Sequence, residues 1–428
     1  MKKFFIFAAA AVVAMAACSK NELNLDSVPN KKIGFEVANY PGQTRANVAL
    51  TNAEDGIYEF HTYAYQFPKQ GDAVEFMNTD IFAWDNAATP QKVTSGTGIY
   101  MWAPENDYYW PKTGYINFYS YAGTQAPAES VSADKKTVTL TYANKTIAST
   151  DNFMVADAAL RFNSNQETYA VDGTEGSGHV TTGVPTLFRH LLAKLYVDVK
   201  IQIPAAKVSA NTIWKVQVLD GFDFDGDSSI ADGEKSLIIP VNKGTLTLTN
   251  ADALAADAAL NTTTQQWTRK ADYTTEGTPD TDVVSGWKPG DTNENVQLSQ
   301  ATVLTLPVSA TESTAIEQLL DWRTVMPQLT DNVALQLVYK VQALHGDTVF
   351  MEEIRTVGVV LNGDSAADIH DLTGSLAQWE SNKKITYHII IDPVSEKVTF
   401  DPAVEAYDAV EANADDVINI NNNGIVTP

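Results

Sequence analysis

The sequence is poor in the residues that most enzyme sites use. Cys18 is its only cysteine in 428 residues, which excludes an internal disulfide and any metal site with several thiolates. The six histidines are scattered without a metal-ligand spacing, and no nucleophile elbow, phosphate-binding loop or dinucleotide fingerprint is present. Among 53 acidic residues, no carboxylate pair stands out as a glycosidase acid and nucleophile. We therefore expect a protein that is not an enzyme and needs no cofactor.

Positive charge is also scarce. The 29 Lys and Arg residues give a net charge of −24, and removal of Lys2 and Lys3 with a signal peptide would make it −26. An acidic chain without a basic, aromatic-interleaved patch repels phosphate backbones. Nucleic acid is therefore excluded as a partner.

The first residues form a secretion signal. Two lysines precede an apolar run, 4–14, and small residues, Ala16 and Ala17, come immediately before Cys18. The run is shorter than the about 20 residues that a membrane-spanning helix needs, and no later stretch is long enough. The sequence predicts a signal peptide at 1–17.

The segment 15–18 resembles a bacterial lipobox, in which the cysteine is acylated and becomes the first residue. Several acyl chains give stable anchoring. Ser19 stands where an aspartate would indicate inner-membrane retention, which favours the outer membrane. The alternative is an ordinary cleavable signal that ends at a chance cysteine.

Short alternating runs of Val, Ile, Thr and Tyr between Gly, Asn, Asp and Pro predict an all-β protein built of sandwiches. The predicted strands are 33–37, 60–65, 115–121, 137–141, 187–203, 212–218, 237–241, 333–341, 349–361 and 385–391. Helical spacing predicts short helices at 251–260 and 315–322. A Gly- and Ser-rich stretch, 173–183, predicts a linker between two domains, and the polar region 261–294 predicts a long loop.

One acidic segment matches the spacing of a calcium-binding loop. Asp223, Asp225, Asp227, Ser229 and Glu234 fall at its positions one, three, five, seven and twelve. The glycine expected at position six is Ser228, and the preceding segment is predicted to be a strand. The two interpretations are a calcium site and a solvated acidic turn between strands.

Several motifs, in order along the chain, resemble those of the fimbrillin family, the subunits of surface fimbriae in some Gram-negative anaerobes. The sequence has YYWP at 108–111 and FYSY at 118–121, then LFRHLLAKL at 187–195. It continues with MPQ at 326–328 and ends with a tryptophan, Trp379, an alternating strand and VTFDP at 398–402. Tyr407 stands where many members of the family have tryptophan.

This resemblance implies two tandem transthyretin-like β-sandwich domains and a route of assembly. In the family, a trypsin-like protease cuts an exported lipoprotein after an arginine, the first strand leaves, and a strand from another subunit replaces it. The divisions expected here are a lipidated prosegment at 18–45, domains at 46–184 and 185–403, and a tail at 404–428. The resemblance further implies that the partners are other fimbrial subunits, through β-strand addition, and the outer membrane, through the lipid.

Arg45 and Ala46 are the candidate cleavage site, because they follow a removable strand, 33–40, and the turn-like segment 41–44. Alternatively, Arg45 is a surface arginine. The region 398–428 contains apolar residues that could serve as the donor strand, or they could close their own domain.

The leading hypothesis is thus a structural or adhesive subunit of surface fimbriae. The alternative is a surface lipoprotein that binds glycans through exposed aromatics between 100 and 121, although aromatics in such a run are more often core. Host or glycan ligands are the further partners expected. A lipoprotein hydrolase is a third hypothesis.

Overall fold

The structure is a computed structural model. It describes residues 33–39, 59–83, 92–94, 100–102, 106–163, 184–219, 237–254, 260, 263–269, 286–290, 294–296, 298, 303–330, 333–361, 376–406, 419–420 and 426–427. Within these ranges the only helix is a 3-10 turn, Ala205–Lys207. None of their helices is long and apolar enough to cross a membrane.

The protein is all-β, as predicted. Its strands are β1 (Phe35–Asn39), β2 (Glu59–Phe67), β3 (Val74–Ala83), β4 (Lys92–Thr94), β5 (Tyr100–Trp102), β6 (Tyr115–Gly123), β7 (Ala128–Val131), β8 (Thr137–Thr146), β9 (Phe153–Ala156), β10 (Ala158–Phe162), β11 (Val184–His190), β12 (Ala193–Ile201), β13 (Ile213–Val218), β14 (Leu237–Ile239), β15 (Lys243–Ala251), β16 (Thr263–Gln265), β17 (Thr268–Arg269), β18 (Trp287–Pro289), β19 (Glu294–Val296), β20 (Leu304–Leu306), β21 (Glu317–Val325), β22 (Gln328–Leu329), β23 (Ala334–His345), β24 (Thr348–Val360), β25 (Gln378–Trp379), β26 (Lys383–Asp392), β27 (Lys397–Ala406), β28 (Asn419–Ile420) and β29 (Val426–Thr427).

Two sheets form what we call the first sandwich. The ten-stranded sheet has the order β16-β10-β6-β9-β11-β1-β5-β4, with β2 between β6 and β3. The five-stranded sheet has the order β17-β15-β8-β7, with β18 also on β15. Side chains of both sheets, such as Tyr119, Leu140 and Leu248, share one core.

β6, inside the ten-stranded sheet, is buried on both faces. On β6, Tyr119 and Tyr121 belong to the core shared with the five-stranded sheet, whereas Phe118 and Ala122 belong to a separate cluster on the opposite face. Successive side chains of a strand point to opposite faces. The crowding of aromatics on both faces of 115–121 in the sequence therefore corresponds to two cores.

The second sandwich contains a four-stranded sheet, β21-β12-β26-β27, and a six-stranded sheet, β19-β14-β23-β13-β20 with β24 on β23. β12 pairs in parallel with β26 from Lys194↔Lys384 to Ile201↔Ile391. The predicted alternation of β12 is confirmed, because Leu195, Val197 and Val199 are buried in the core between these sheets.

The two sandwiches meet where β11 passes into β12. Leu191 and Leu192 make this joint and are buried. The indole of Trp287 and the hydroxyl of Ser381 both donate hydrogen bonds to the Leu191 carbonyl, each over 2.8 Å. The joint is therefore fixed by side chains from both sandwiches.

Strand pairing does not follow the predicted division at residue 184. β11 pairs with β9 and β1 of the first sandwich, and β15 pairs with β8 over Lys243↔Thr146 to Ala251↔Thr137. The predicted linker, 173–183, lies outside the described residues. The predicted loop at 261–294 was wrong where it is described, because β16 to β19 lie in it.

The helix predicted at 315–322 was wrong. Most of it is β21, which pairs with β12 through two irregularities in register. Such bulges break the period of two, so Leu319 and Leu320 follow Ile316 at a spacing that resembles a helix. At 251–260, Ala251 ends β15 and 252–254 are not helical, while 255–259 lie outside the described residues.

Candidate functional site

The first strand of the chain completes the core of the first sandwich. β1 lies between β11 and β5. It pairs in parallel with β11 from Phe35↔Val184 to Asn39↔Phe188, and it pairs with β5 at Phe35↔Trp102. The predicted strand at 33–37 is thus observed, two residues further along.

Two side chains at the start of this strand are fully buried. Ile33 is 2% exposed and Phe35 is 0% exposed. The ring of Phe35 lies edge-on to Phe60 at 5.7 Å and to Phe118 at 5.5 Å, a favourable geometry for aromatic pairs. Phe60 in turn contacts Phe188 at 5.6 Å. We call the site that holds Ile33 and Phe35 the first-strand groove.

Main-chain hydrogen bonds fix both flanks of the segment. The amide of Ile33 donates to the carbonyl of Tyr108 over 2.8 Å, and the amide of Val184 donates to the carbonyl of Gly34 over 2.7 Å. Trp110, 3% exposed, packs edge-on against Phe118 at 5.7 Å. The run 108–110 is therefore one wall of the groove, a role that its aromatic motif in the sequence does not predict.

The described aromatic side chains of the run 100–121, which were considered as a possible glycan-binding surface, lie mainly in the core. Trp110, Phe118, Tyr119 and Tyr121 are buried, whereas Tyr109 is 42% exposed. The core interpretation of this run is confirmed for the four buried residues.

The described side chains that form the core around the groove are apolar. The described buried hydroxyls on this face are those of Thr62 and Ser120, which bond to each other over 2.8 Å, and that of Thr186, which donates to the Val184 carbonyl over 2.9 Å. On the opposite face of the sheet, burial raises the pKa of Tyr63 and Tyr65 above the ordinary value, so those phenols also stay neutral at neutral pH. Such a site recognises apolar side chains and a main-chain edge.

The buried side chains alone do not fix β1 in the groove. Burying an Ile or a Phe side chain stabilises by about 1.5–3 kcal/mol, so that Ile33 and Phe35 together give about 3–6 kcal/mol. Fixing a residue's backbone costs roughly 1–2 kcal/mol, which amounts to roughly 7–14 kcal/mol for the segment 33–39. The covalent link to β2 through 40–58 therefore matters for keeping β1 in place.

The other predicted site residues lie outside the described residues. These are Cys18, the cleavage pair Arg45 and Ala46, and the acidic segment of Asp223, Asp225, Asp227, Ser229 and Glu234. Within the described part of the chain, no group of three or more His, Cys, Asp or Glu side chains is placed to hold a metal ion.

Part of the predicted donor region lies in its own sandwich. β27 pairs with β26 from Lys383↔Ala406 to Asp392↔Lys397, and Val398 is buried in the core. For 397–406, the interpretation as a strand that closes its own domain therefore holds. Beyond it only β28 and β29 are described, and they pair with each other.

No protein-family model and no curated protein sequence matches the chain. Several solved structures are similar. A fimbrial protein from Bacteroides vulgatus is 15% identical with a TM-score of 0.45, over 88% of this chain and 100% of the other. A fimbrilin from Porphyromonas gingivalis is 11% identical with a TM-score of 0.30, over 90% and 99%.

A third similar structure is the tip fimbrial protein Mfa3 from Porphyromonas gingivalis with a C-terminal truncation. It is 9% identical with a TM-score of 0.25, over 82% of this chain and 95% of the other. These descriptions name the kind of protein that the motifs resemble.

Proposed function

We propose that this protein is a structural or adhesive subunit of cell-surface fimbriae that assembles by exchange of β1 for a strand of another subunit. It is exported as a lipoprotein with Cys18 as its anchor in the outer membrane. The observation that carries the proposal is that Phe35 of β1 and Ile33 just before it fill the core, yet β1 is tied to the rest of the sandwich through a segment that contains Arg45.

Cleavage between Arg45 and Ala46 would convert β1 from a tethered strand into a bound peptide. A short linker holds its ends together at an effective concentration of about millimolar. Without it, β1 binds only through its own contacts. A second strand then competes with β1 on equal terms.

Loss of β1 without replacement is unfavourable. It would expose the rings of Phe60, Phe118 and Phe188 and leave the main-chain groups of β11 without partners on that side. An extended segment with alternate apolar residues satisfies both needs, which is the basis of recognition by strand addition. The groove therefore favours exchange over simple release.

The candidate donor is the part of the tail after β27, residues 407–428. Its apolar residues include Val417, Ile418, Ile420, Ile425 and Val426, and 22 extended residues span up to roughly 70 Å. This length allows a neighbour's groove to be reached while β27 stays paired with β26.

The test is limited trypsin digestion of the full chain carrying Cys18→Ser, which prevents acylation. Mass spectrometry should find the first cut at Arg45, and size-exclusion chromatography should then show oligomers growing slowly. An Arg45→Ala variant should stay uncut there and monomeric. A chain that is cut at Arg45 and remains monomeric, with β1 bound, would contradict the exchange mechanism.

The alternative function is that of a surface lipoprotein that binds glycans and does not polymerise. Tyr109 is the one observation that favours it, because this aromatic is 42% exposed and aromatic faces suit sugar stacking. Quenching of tyrosine fluorescence by neutral oligosaccharides, lost in Tyr109→Ala, would support this alternative. Unchanged fluorescence would remove it.

A further inference from the structure

One edge of the six-stranded sheet in the second sandwich is a long strand. β24 has 13 residues, whereas a strand in a globular protein typically has about five or six. Within the described part of the chain its only partner is β23. The other side of β24 therefore presents main-chain N–H and C=O groups with which a further strand can pair.

This edge strand also carries exposed apolar side chains. Of the nine large apolar side chains that are exposed among the described residues, three lie on β24: Val349 (43%), Phe350 (57%) and Ile354 (55%). Natural edge strands are commonly short or protected by lysine or proline, and β24 contains neither of these residues. A long apolar edge of this kind is suited to strand addition.

The pairing of β24 with β23 fixes which face of the sheet each side chain is on. Val357 pairs with Leu337, and Arg355 pairs with Tyr339. Val357, Leu337 and Tyr339 all belong to the core of the second sandwich. Successive side chains alternate between the faces, so the odd-numbered positions from 351 to 357 are on the core side, and Ile354 is on the outer side.

The charges of β24 allow it to pair with an identical strand in one register. Opposite residues of a ladder lie on the same face, so an antiparallel pair that keeps both cores on one side must be centred on a residue. Centring on Glu352, Glu353 or Arg355 would place that charge opposite its own copy, which is unfavourable. Centring on Ile354, the middle residue of β24, places Glu353 opposite Arg355 twice and the two Ile354 side chains opposite each other.

The charged side chains already lie close together at this edge. Arg355 forms an ion pair of 2.8 Å with Glu353 of its own strand, and their side chains are 13% and 53% exposed. In the register centred on Ile354, the second copy adds the same pair in the reverse direction. The four charges then alternate in sign around the two-fold axis, which favours this register over its neighbours.

We propose that β24 pairs with β24 of a second copy of this chain, antiparallel and centred on Ile354. Both copies use the same surface, so the contact closes on itself as a two-fold pair. It would join copies side by side, and it does not involve β1 or its exchange.

The pair is expected to be transient between single copies. A contact made by one strand from each copy is small compared with the about 1,200–2,000 Å² that stable interfaces bury. The uncut chain therefore still behaves as a monomer in size-exclusion chromatography. Copies held together by a common membrane or by a filament would form the pair more often, because their effective concentration is higher.

Disulfide trapping detects such a transient pair. The experiment uses the uncut chain with Cys18→Ser and Ile354→Cys, which has a single cysteine. Opposite residues in an antiparallel ladder have Cα atoms about 4.5–5.5 Å apart, within the range of about 4.4–6.8 Å that a disulfide spans. With oxidised glutathione as the oxidant, covalent dimers should accumulate and be visible on a non-reducing gel.

Two other single-cysteine variants are the controls. Val303→Cys places the thiol at an exposed position (46%) next to β20, at the opposite edge of the sheet, and reports random collisions. Glu352→Cys lies on β24 itself, but in the proposed register its two copies are four positions apart, roughly 13 Å, beyond the reach of a disulfide. Neither control should form dimers faster than random collisions do.

An exchange of charges tests the complementarity. In the Ile354→Cys chain, Glu353→Arg places arginines opposite each other and should slow dimer formation by about tenfold. Arg355→Glu should act in the same way by placing glutamates opposite each other. A mixture of these two variants restores opposite charges, so mixed dimers, identified by mass, should form as fast as those of the Ile354→Cys chain.

Three results would overturn the proposal. They are equal rates for Ile354→Cys and Val303→Cys, equal rates for Ile354→Cys and Glu352→Cys, and an unchanged rate after Glu353→Arg. Circular dichroism verifies that each variant is folded, and if Arg355→Glu is not, Glu353→Arg tests the charge by itself. Since β1 stays in place throughout, failure here and failure of exchange after cutting at Arg45 are separate outcomes.

Discussion

The two sandwiches fill their cores in different ways. The second draws its core from 193–398, mainly Leu, Val and Ile. The first draws on β1 and on β15 and β18, which are distant in the chain, and its cores are rich in Phe, Tyr and Trp. A core assembled from separate segments can lose one of them. Loss of β1 would remove the large aromatic side chain of Phe35 from the core.

Alkaline pH should lower the stability of the first sandwich more than that of the second, and this is the largest difference that we expect between them. Among the described residues, burial raises the pKa of five tyrosines in the first sandwich against three in the second. They are Tyr63, Tyr65, Tyr115, Tyr119 and Tyr142 in the first, and Tyr196, Tyr339 and Tyr387 in the second. A raised pKa in the folded state gives stability that is complete below the unfolded pKa of about 10 and is lost as the pH rises above it. Between the unfolded and the folded pKa, each such group lowers the free energy of unfolding by about 1.4 kcal/mol per pH unit.

The first sandwich should therefore unfold before the second in a titration from pH 9 to 12. Hydrogen exchange read by mass spectrometry assigns the loss to peptides of either sandwich, and absorbance of tyrosinate should rise in the same step. Simultaneous loss of protection in β6 and β26 would show that the two sandwiches unfold as one unit and would remove this contrast.

A second test concerns the contribution of the later chain to the first core. Trp287 is 1% exposed and donates to the Leu191 carbonyl. Trp287→Ala should cost about 3–5 kcal/mol of unfolding free energy, measured by urea denaturation. Trp322, on β21 and only partly buried, is the matched control, and Trp322→Ala should cost clearly less.

The sequence predicted single strands well and their assembly poorly. β12 and β26 alternate apolar and polar residues, so their existence and their buried faces follow from the pattern. The pairing of β15 with β8 joins residues about a hundred positions apart, and no local pattern encodes such a contact. The bulges of β21 broke its period, which is why a helix was predicted there.

The site was predicted in part. The segment 33–40 is predicted to be a removable strand, and the structure shows that Ile33 and Phe35 within it are buried. The wall formed by 108–110 was missed because its hydrogen bond to Ile33 is a main-chain contact, which any residue can make. The aromatic motif at 108–111 marks this segment in the sequence, but it does not indicate that the segment lines the groove.

A third test compares matched core residues of the two sandwiches. Phe35→Ala should cost about 3–5 kcal/mol and Ile389→Ala about 2–5 kcal/mol. The two variants should differ once the chain is cut at Arg45. Only Phe35→Ala weakens the bound β1 peptide, so a fluorescent peptide with the sequence 30–40 should replace β1 faster in that variant than in Ile389→Ala, as followed by anisotropy.

The smallest effect tests whether the start of β1 also contributes to its hold. Ile33→Val removes one buried methylene, which costs about 0.5–1.5 kcal/mol. Because Ile33 is 2% exposed and its amide is fixed by Tyr108, the groove cannot easily close around the smaller side chain. Replacement of β1 in the cut chain should then be faster by about tenfold at most, since 1.4 kcal/mol corresponds to a factor of ten. Ile385→Val in β26 is the matched control. Equal rates of β1 replacement in the two variants would mean that Phe35, and not Ile33, keeps β1 bound in the groove.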